Sequence, residues 1–203
     1  MTSEDQTRAQ ASRSRLLSAA IEAFAEKGFH GTTTRDITTA AGLSPAALYL
    51  HHKSKEELLY LISRAGHENT LRLVRTAIES APDPIAQLRQ VAYDAARYHA
   101  RDHTSGRIVN YELAALTPRH RTEIRRIRRQ IEQEIRRLIE RGADAGVFRT
   151  RDTRMAAIAL LSLVIDISRW YRDDRAWTPE EVAERYVDVA LRIADATGVG
   201  SAT

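Results

Sequence analysis

Apolar residues recur along the chain at intervals of three and four rather than in alternation. In the first such stretch Leu16, Ala20 and Phe24 lie on one helical face, and Gly28 follows where a helix can end. The same spacing returns in later segments, and no alternation of period two is sustained. The pattern therefore predicts an all-α protein of about nine helices.

Capping residues and breaks in the pattern mark the ends of these helices. Ser44 followed by Pro45 is typical of a helix start, and Ser54 with Glu57 three residues later predicts a complete capping box. Beyond the first helix, the predicted segments lie near residues 33–42, 44–51, 54–79, 83–103, 106–116, 118–142, 153–172 and 179–196. We find no internal repeat among them.

The second and third predicted helices are short and joined by a tight turn. Gly42 supplies the backbone freedom that the turn needs, and Ala40 and Ala41 allow the two helices to cross closely. Such a pair is typical of a helix-turn-helix, whose second helix enters the DNA major groove. The small side chains of Ala46 and Ala47 allow that helix to approach base edges.

Polar groups that suit phosphate oxygens surround this helix pair. Tyr49, His51 and Lys55 are expected to hydrogen-bond the DNA backbone. The amino ends of the second and fourth helices direct partial positive charge towards the same backbone. The alternative is that these residues only build a small three-helix unit.

Residues 16–59 resemble the DNA-binding domain of the TetR family of bacterial transcriptional regulators. The shared motifs are F-A-E-K-G-F, T-T-x-x-D-I, A-G-L-S, L-Y-x-H and S-K-E-E-L. The chain departs from the family at His52, where a phenylalanine is usual, and at Ala46 or Ala47, where a glycine is common. The resemblance implies a homodimeric one-component regulator with a helix-turn-helix head and a larger helical body that holds a small effector.

The resemblance also carries residue roles to matching positions. The implied DNA-binding residues are Thr34, Arg35, Ser44, Pro45, Ala46, Ala47, Tyr49, His51 and Lys55. Because Ala46 and Ala47 cannot hydrogen-bond through their side chains, we expect the third helix to read thymine methyl groups and Arg35 to read a purine. The expected domains are residues 1–54, of which 1–10 are disordered, and residues 55–203, a bundle for effector binding and dimerisation.

The helices near 153–172 and 179–196 predict the dimer interface. The first is apolar on nearly all sides up to Ile167, more than a helix facing water needs, and the second offers a matching stripe that includes Val182 and Val189. Together they predict a homodimer through a four-helix bundle. The alternative is a helix buried inside a monomer.

Composition narrows the picture further. Apolar residues make up 43% and charged residues 29% of the 203 residues, a balance typical of a globular protein, and the net charge of +4 permits an acidic partner without requiring one. The arginine-rich segment 119–142 carries a regular isoleucine stripe, which predicts a solvated amphipathic helix rather than a nucleic-acid patch. The chain has no cysteine, no leader pattern and no apolar run long enough to span a bilayer, so we expect a cytoplasmic protein that does not enter membranes.

The effector site is the least defined prediction. Its candidate residues are Tyr93, Arg97, His99, His103, Asn110, Glu112, Ile165, Arg169 and Trp170. His99 and His103 share a helical face, but no third ligand accompanies them, so no metal or other cofactor is expected. Residues 168–182 weakly resemble TetR regulators of lipid, acyl-CoA or steroid breakdown, which favours a large, mainly apolar effector.

These observations favour a repressor that leaves a palindromic operator when its effector binds, with Gly66 as a hypothetical soft point in the fourth helix. The alternative is a TetR-like architectural or division-linked DNA-binding protein without an effector. An enzyme is not expected, because the chain has no nucleophile elbow, no phosphate-binding glycine loop and no compelling carboxylate pair.

Overall fold

Helices account for the regular structure of the chain. The computed structural model describes residues 3–174 and 176–197, and over these residues it contains nine α-helices, one short 3-10 helix at Leu113–Ala115 and one isolated β-bridge. The α-helices are α1 (Ser3–Gly31), α2 (Thr34–Ala40), α3 (Pro45–His51), α4 (Lys55–Ser80), α5 (Pro84–Arg101), α6 (His103–Tyr111), α7 (Pro118–Asp144), α8 (Thr153–Trp170) and α9 (Pro179–Ile193). The all-α prediction is confirmed.

Two of the differences between predicted and observed helix boundaries are larger than the rest. Helix α1 begins at Ser3, so residues 3–10, which the sequence predicts to be disordered, are helical, whereas residues 1 and 2 lie outside the described residues. The predicted segment 106–116 is divided into α6 and the 3-10 helix. Helix α5 ends at Arg101 rather than at residue 103, so α6 can begin earlier than predicted, at His103. The residue between them, Asp102, leaves the helical conformation at φ −98° and ψ 29°.

Packing divides the chain into two compact units. The head unit is Met1–Gly66 with Arg107–Ile124, and the body unit is His67–Gly106 with Arg125–Thr203. This division falls inside α4, whereas the sequence predicts a boundary between the functional domains at residues 54 and 55, where α4 begins. That functional boundary stays a prediction.

The core of the head unit is built where α1, α2 and α3 meet. Phe24, Ile37 and Leu48 come one from each helix, and all three are buried. Each such side chain contributes about 1.5–3 kcal/mol through the burial of its apolar surface. The short helices α2 and α3 are therefore held by this shared core rather than by their own length.

The body unit has a core that contains both small and large apolar residues. Ala96 and Ala100 on α5 lie with Ile167 of α8 and Ala183 of α9 in one buried cluster. The alanines let α9 approach α5 closely, and this pair makes the most extensive helix contact described.

Helix α7 carries buried isoleucines on one face and exposed arginines such as Arg125 and Arg129 on the other. The predicted amphipathic helix is confirmed. Among the described helices, none combines the length and the apolar composition that crossing a bilayer requires.

Candidate nucleic-acid interface

The turn between α2 and α3 depends on Gly42. This residue has a φ of +64°, in the left-handed region that side chains disfavour. The Gly42 N–H donates to the carbonyl of Thr39 at 3.1 Å, and the Leu43 N–H donates to the carbonyl of Thr38 at 2.9 Å. These two bonds form a Schellman closure, so α2 ends abruptly and α3 can begin at Pro45.

The start of α2 is capped on both sides of its first turn. The Thr33 hydroxyl accepts from the Asp36 N–H, and the Asp36 carboxylate accepts from the Thr33 N–H at 2.8 Å. Hydrogen bonds from Thr33 are the main cause that holds the pKa of Asp36 well below its usual range, and the nearby Lys27 ammonium, 3.0 Å away, adds to it. Because Thr33 caps only the third amide, the N–H groups of Thr34 and Arg35 remain for an external acceptor.

Four exposed residues that lie side by side around α3 form its exposed face. Pro45, Ala46, Tyr49 and Leu50 are exposed, Tyr49 to 61% and Leu50 to 80% of its surface. At 100° per residue, they span a contiguous arc of about 140° around the helix. We call these four residues the recognition face. Leu48 lies opposite and is buried in the head core.

The recognition face differs in three positions from the one implied by the resemblance. Ala47 and His51 are half-buried and lie outside the exposed arc. Leu50, which is not among the residues implied by the resemblance, lies inside it. The sequence does contain a signal for Leu50: it lies one helical turn after Ala46 and therefore on the same side of α3.

The remaining implied DNA contacts differ in accessibility. Arg35 is exposed, and its guanidinium makes no hydrogen bond or ion pair with the part of the chain that the structure describes. Thr34 is half-buried, and Ser44 occupies the N-cap position of α3 without a side-chain capping bond. Of these three, Arg35 has the freest polar group for reaching DNA.

Lys55 is directed towards the protein rather than towards solvent. Its ammonium donates to the carbonyl oxygens of Phe29 at 2.8 Å and Thr32 at 2.6 Å, and it lies 4.5 Å from the centre of the Phe29 ring. Two of its three N–H donors therefore stabilise the end of α1. The phosphate contact that the sequence predicts for Lys55 is left with one donor at most.

The start of α4 is capped in an unexpected way. The Ser54 hydroxyl accepts from the Glu57 N–H at 3.2 Å, as predicted, but the Glu57 carboxylate accepts from the N–H of Lys53 rather than from that of Ser54. Only half of the predicted capping box is formed. Neighbouring Glu56 accepts from the Thr117 N–H at 2.8 Å and contacts His120, whose ring stacks on Tyr60.

His52 occupies a buried position behind α3. Its Nε2 atom is buried without a hydrogen-bond partner among the described residues, and burial lowers its pKa from the usual 6.5. A phenylalanine at this position would leave no polar atom unsatisfied.

Most of the candidate effector residues of the body unit already have partners. Arg97 pairs with Glu180 at 2.9 Å, and exposed Arg169 pairs with Asp166 at 2.7 Å. Tyr93 and Trp170 pack against the α5–α8–α9 core. The half-buried Ile165 completes this group on α8.

The two histidines of α5 and α6 have different environments. The His103 Nδ1 lies 3.0 Å from the carbonyl oxygen of Ala100, so this nitrogen is engaged. His99 is buried, and its Nδ1 has no hydrogen-bond partner in the described part of the chain. Burial, with a smaller contribution from His67, lowers the pKa of His99 to about 4, so its imidazole is neutral near pH 7.

The last two candidate effector residues, Asn110 and Glu112, belong to the head unit. The Glu112 carboxylate accepts weakly from the Phe29 N–H at 3.5 Å, close to Gly28. Its contact is thus with the end of α1, the same segment that Lys55 holds. An effector contact for either residue stays a prediction.

A closed α2–α3 turn with an exposed second helix defines a helix-turn-helix DNA-binding protein, and the comparisons with known proteins agree. The model described as "Bacterial regulatory proteins, tetR family" matches residues 16–60, and the model "Tetracyclin repressor-like, C-terminal domain" matches residues 81–194. The chain belongs to the TetR family of bacterial transcriptional regulators. It is a DNA-binding transcriptional regulator and not an enzyme.

Three relatives illustrate this membership. A solved TetR-family regulatory protein from Rhodococcus RHA1 is 40% identical, with a TM-score of 0.86 over 90% of this chain and 96% of that one. The transcriptional repressor KstR2 of Rhodococcus jostii (strain RHA1) is 29% identical over 181 residues, 88% of this chain and 89% of the relative. AibR, solved with isovaleryl coenzyme A and operator DNA, shares the fold at 23% identity and a TM-score of 0.80, over 88% and 97% of the two chains.

Proposed function

We propose that this protein is a cytoplasmic repressor that binds a palindromic operator as a homodimer and leaves it when a small-molecule effector binds the body. The observation that carries the proposal is the exposed recognition face of α3 behind the closed Gly42 turn. A helix presented in this way fits the major groove of B-DNA. The repressor name of KstR2 supports the direction of regulation.

The proposed DNA contacts fall into two groups. Arg35 reads a purine, and the recognition face lies against base edges and thymine methyl groups. Phosphate contacts fix the position of the head on the DNA. They are made by Tyr49, Ser44 and the free amides at the start of α2. Thr34, Ala47, His51 and Lys55 take a lesser part, because the first three are half-buried and Lys55 is bonded to the end of α1.

The proposed dimer interface is the outer side of α8 and α9. Helix α8 buries Leu160 and Ile167 in its own unit, yet Met155, Ile158 and Leu163 are exposed on it. Val189 adds an exposed apolar group on α9. A second copy that covers these side chains would remove their apolar surface from water, which supports a four-helix interface.

The proposed effector is a largely apolar acyl or coenzyme A-linked molecule. AibR, which shares this fold, was solved with isovaleryl coenzyme A. The weak resemblance of residues 168–182 to regulators of lipid breakdown supports the same class of effector. His99 is the candidate residue best suited to a polar contact, because its buried Nδ1 has no partner among the described residues. The effector must bind more tightly to the state that does not bind DNA than to the state that does. A coupling free energy of about 1–3 kcal/mol between the two sites is typical.

Selection of binding sites from a random DNA duplex pool tests the operator part of the proposal. We expect an inverted repeat whose half-sites lie about 34 Å or a multiple of that distance apart. Arg35→Ala should lower affinity roughly 5- to 150-fold for each half-site and relax preference at one base pair in each, whereas Arg125→Ala, at another exposed arginine on α7, should change neither. Failure of the wild-type protein to enrich any sequence would reject the proposal.

Titration of the selected DNA complex with isovaleryl coenzyme A, longer acyl-coenzyme A compounds and coenzyme A alone tests the effector part. Release by an acyl compound but not by coenzyme A supports an apolar effector site. Release by none of them favours the effector-independent class of DNA-binding protein. Leu163→Glu should convert the dimer to monomer in light scattering, with Arg125→Glu as the exposed control.

A further inference from the structure

Leu50 is the most exposed large apolar side chain of the described head unit. It is 80% exposed, and Tyr49 beside it is 61% exposed. One exposed leucine is ordinary on a protein surface. This one, however, lies on the recognition face, where its surroundings are unusually poor in hydrogen-bonding groups.

The chemistry of the recognition face limits what it can read. Among Pro45, Ala46, Tyr49 and Leu50, only the Tyr49 hydroxyl can form a side-chain hydrogen bond. The major groove distinguishes base pairs mainly through hydrogen-bonding patterns, and its apolar feature is the thymine methyl group. Apolar contact is therefore the main means by which this face can prefer one sequence.

The position of Leu50 on α3 favours it over Ala46 for that contact. The two residues are four apart and therefore lie one turn apart on the same side of the helix. Helical side chains lean towards the N-terminus, so the Leu50 isobutyl group covers the surface beside the single methyl of Ala46. Among the apolar residues of the recognition face, Leu50 therefore has the side chain that reaches furthest from the helix.

We propose that Leu50 is a specificity-determining residue that contacts a thymine methyl group in each operator half-site. This role rests on the proposed docking of α3 in the major groove. It differs from the reading by Ala46 and Ala47 expected from the sequence, since Ala47 lies outside the exposed arc and Ala46 offers only a single methyl group.

A cycle between one protein change and one DNA change tests the contact. After selection of an operator with wild-type protein, each thymine is replaced in turn by deoxyuridine, which removes only the methyl group. We expect one position per half-site where wild-type protein loses about fourfold in affinity for each replaced methyl, and about 15-fold when both half-sites are changed. Leu50→Ala should bind thymine and uracil duplexes equally at that position.

Controls separate a failed contact from a failed fold or a failed function. Leu50 is exposed, so Leu50→Ala should keep the wild-type thermal midpoint. Tyr49→Phe keeps the neighbouring ring and should retain the thymine preference. The same uracil profile for wild type and Leu50→Ala, or a selected half-site without thymine, would overturn the role of Leu50. Absence of any selected operator would instead overturn the proposed function.

Discussion

The ammonium group of Lys55 donates a hydrogen bond to the carbonyl oxygen of Phe29 at 2.8 Å and lies 4.5 Å from the centre of the Phe29 ring. The same group bonds the carbonyl of Thr32 at 2.6 Å. These contacts join the start of α4 to the end of α1, which immediately precedes α2. A residue expected to bind DNA phosphate is thereby part of the internal structure of the head unit.

Replacement of Lys55 by methionine should therefore destabilise the head. The variant keeps the aliphatic length but leaves two carbonyl oxygens without their charged donor, at a cost of about 1–3 kcal/mol. Urea unfolding followed by circular dichroism measures the change. Lys53→Met, a neighbouring exposed lysine, is the matched control and should change stability little. Equal stability of both variants would show that Lys55 has no such structural role.

The contrast between Lys55 and Gly42 shows what the sequence could predict. The turn, the helix starts and the apolar stripes depend on residues within a few positions of one another, so their patterns are visible in the sequence. Lys55 bonds Phe29 across 26 residues, and Arg97 pairs with Glu180 across 83. Such pairings depend on how the helices pack, and no local pattern announces them.

The recognition face is an intermediate case. Its helix was predictable, but the exposed arc depends on which side of α3 packs against the head core, and this excludes Ala47 and His51 while including Leu50. Gly66 is a second example. The sequence indicates a soft point in α4, whereas the structure places its α-carbon directly against Val109 of α6.

Gly66→Ala should destabilise the head unit because of this close approach. A Cβ atom at Gly66 would lie 2.8 Å from one methyl carbon of Val109, closer than side chains tolerate. Overpacking of this kind costs about 1–3 kcal/mol, which outweighs the better helix propensity of alanine. Thermal unfolding of the purified protein measures the loss.

A second substitution distinguishes a packing conflict from a loss of flexibility at Gly66. Val109→Ala removes the opposing methyl groups, so the double variant should be more stable than the sum of the two single changes predicts. Gly31→Ala is the control, because the nearest atom to its Cβ lies at an ordinary 3.6 Å. Strict additivity would contradict the packing explanation.

His52→Phe should stabilise the head unit by about 1 kcal/mol. It removes a buried Nε2 that lacks a partner among the described residues and replaces it with apolar surface. Chemical denaturation at pH 7.5 measures the gain, and His51→Phe at the half-buried neighbour should give none. A loss of stability in His52→Phe would show that the site is too small for the larger ring.

The buried His99 makes the stability of the body unit depend on pH. Burial lowers its pKa to about 4, so between about pH 6.5 and pH 4 the unfolded chain binds a proton that the folded chain does not. As the pH is lowered through this window, His99 alone should reduce the free energy of unfolding by on the order of 1 kcal/mol per pH unit, and this effect should level off below about pH 4. Above pH 6.5 this reduction is absent.

Urea unfolding of the wild type and of His99→Gln at a series of pH values isolates this contribution. Glutamine does not titrate, so the variant should have a shallower slope below pH 6.5, whatever its absolute stability. His30→Gln, at an exposed histidine, should retain the wild-type slope. Parallel pH profiles for wild type and His99→Gln would mean that His99 takes up its proton equally in both states. They would also mean that water or a neighbouring group reaches its Nδ1 in the folded protein.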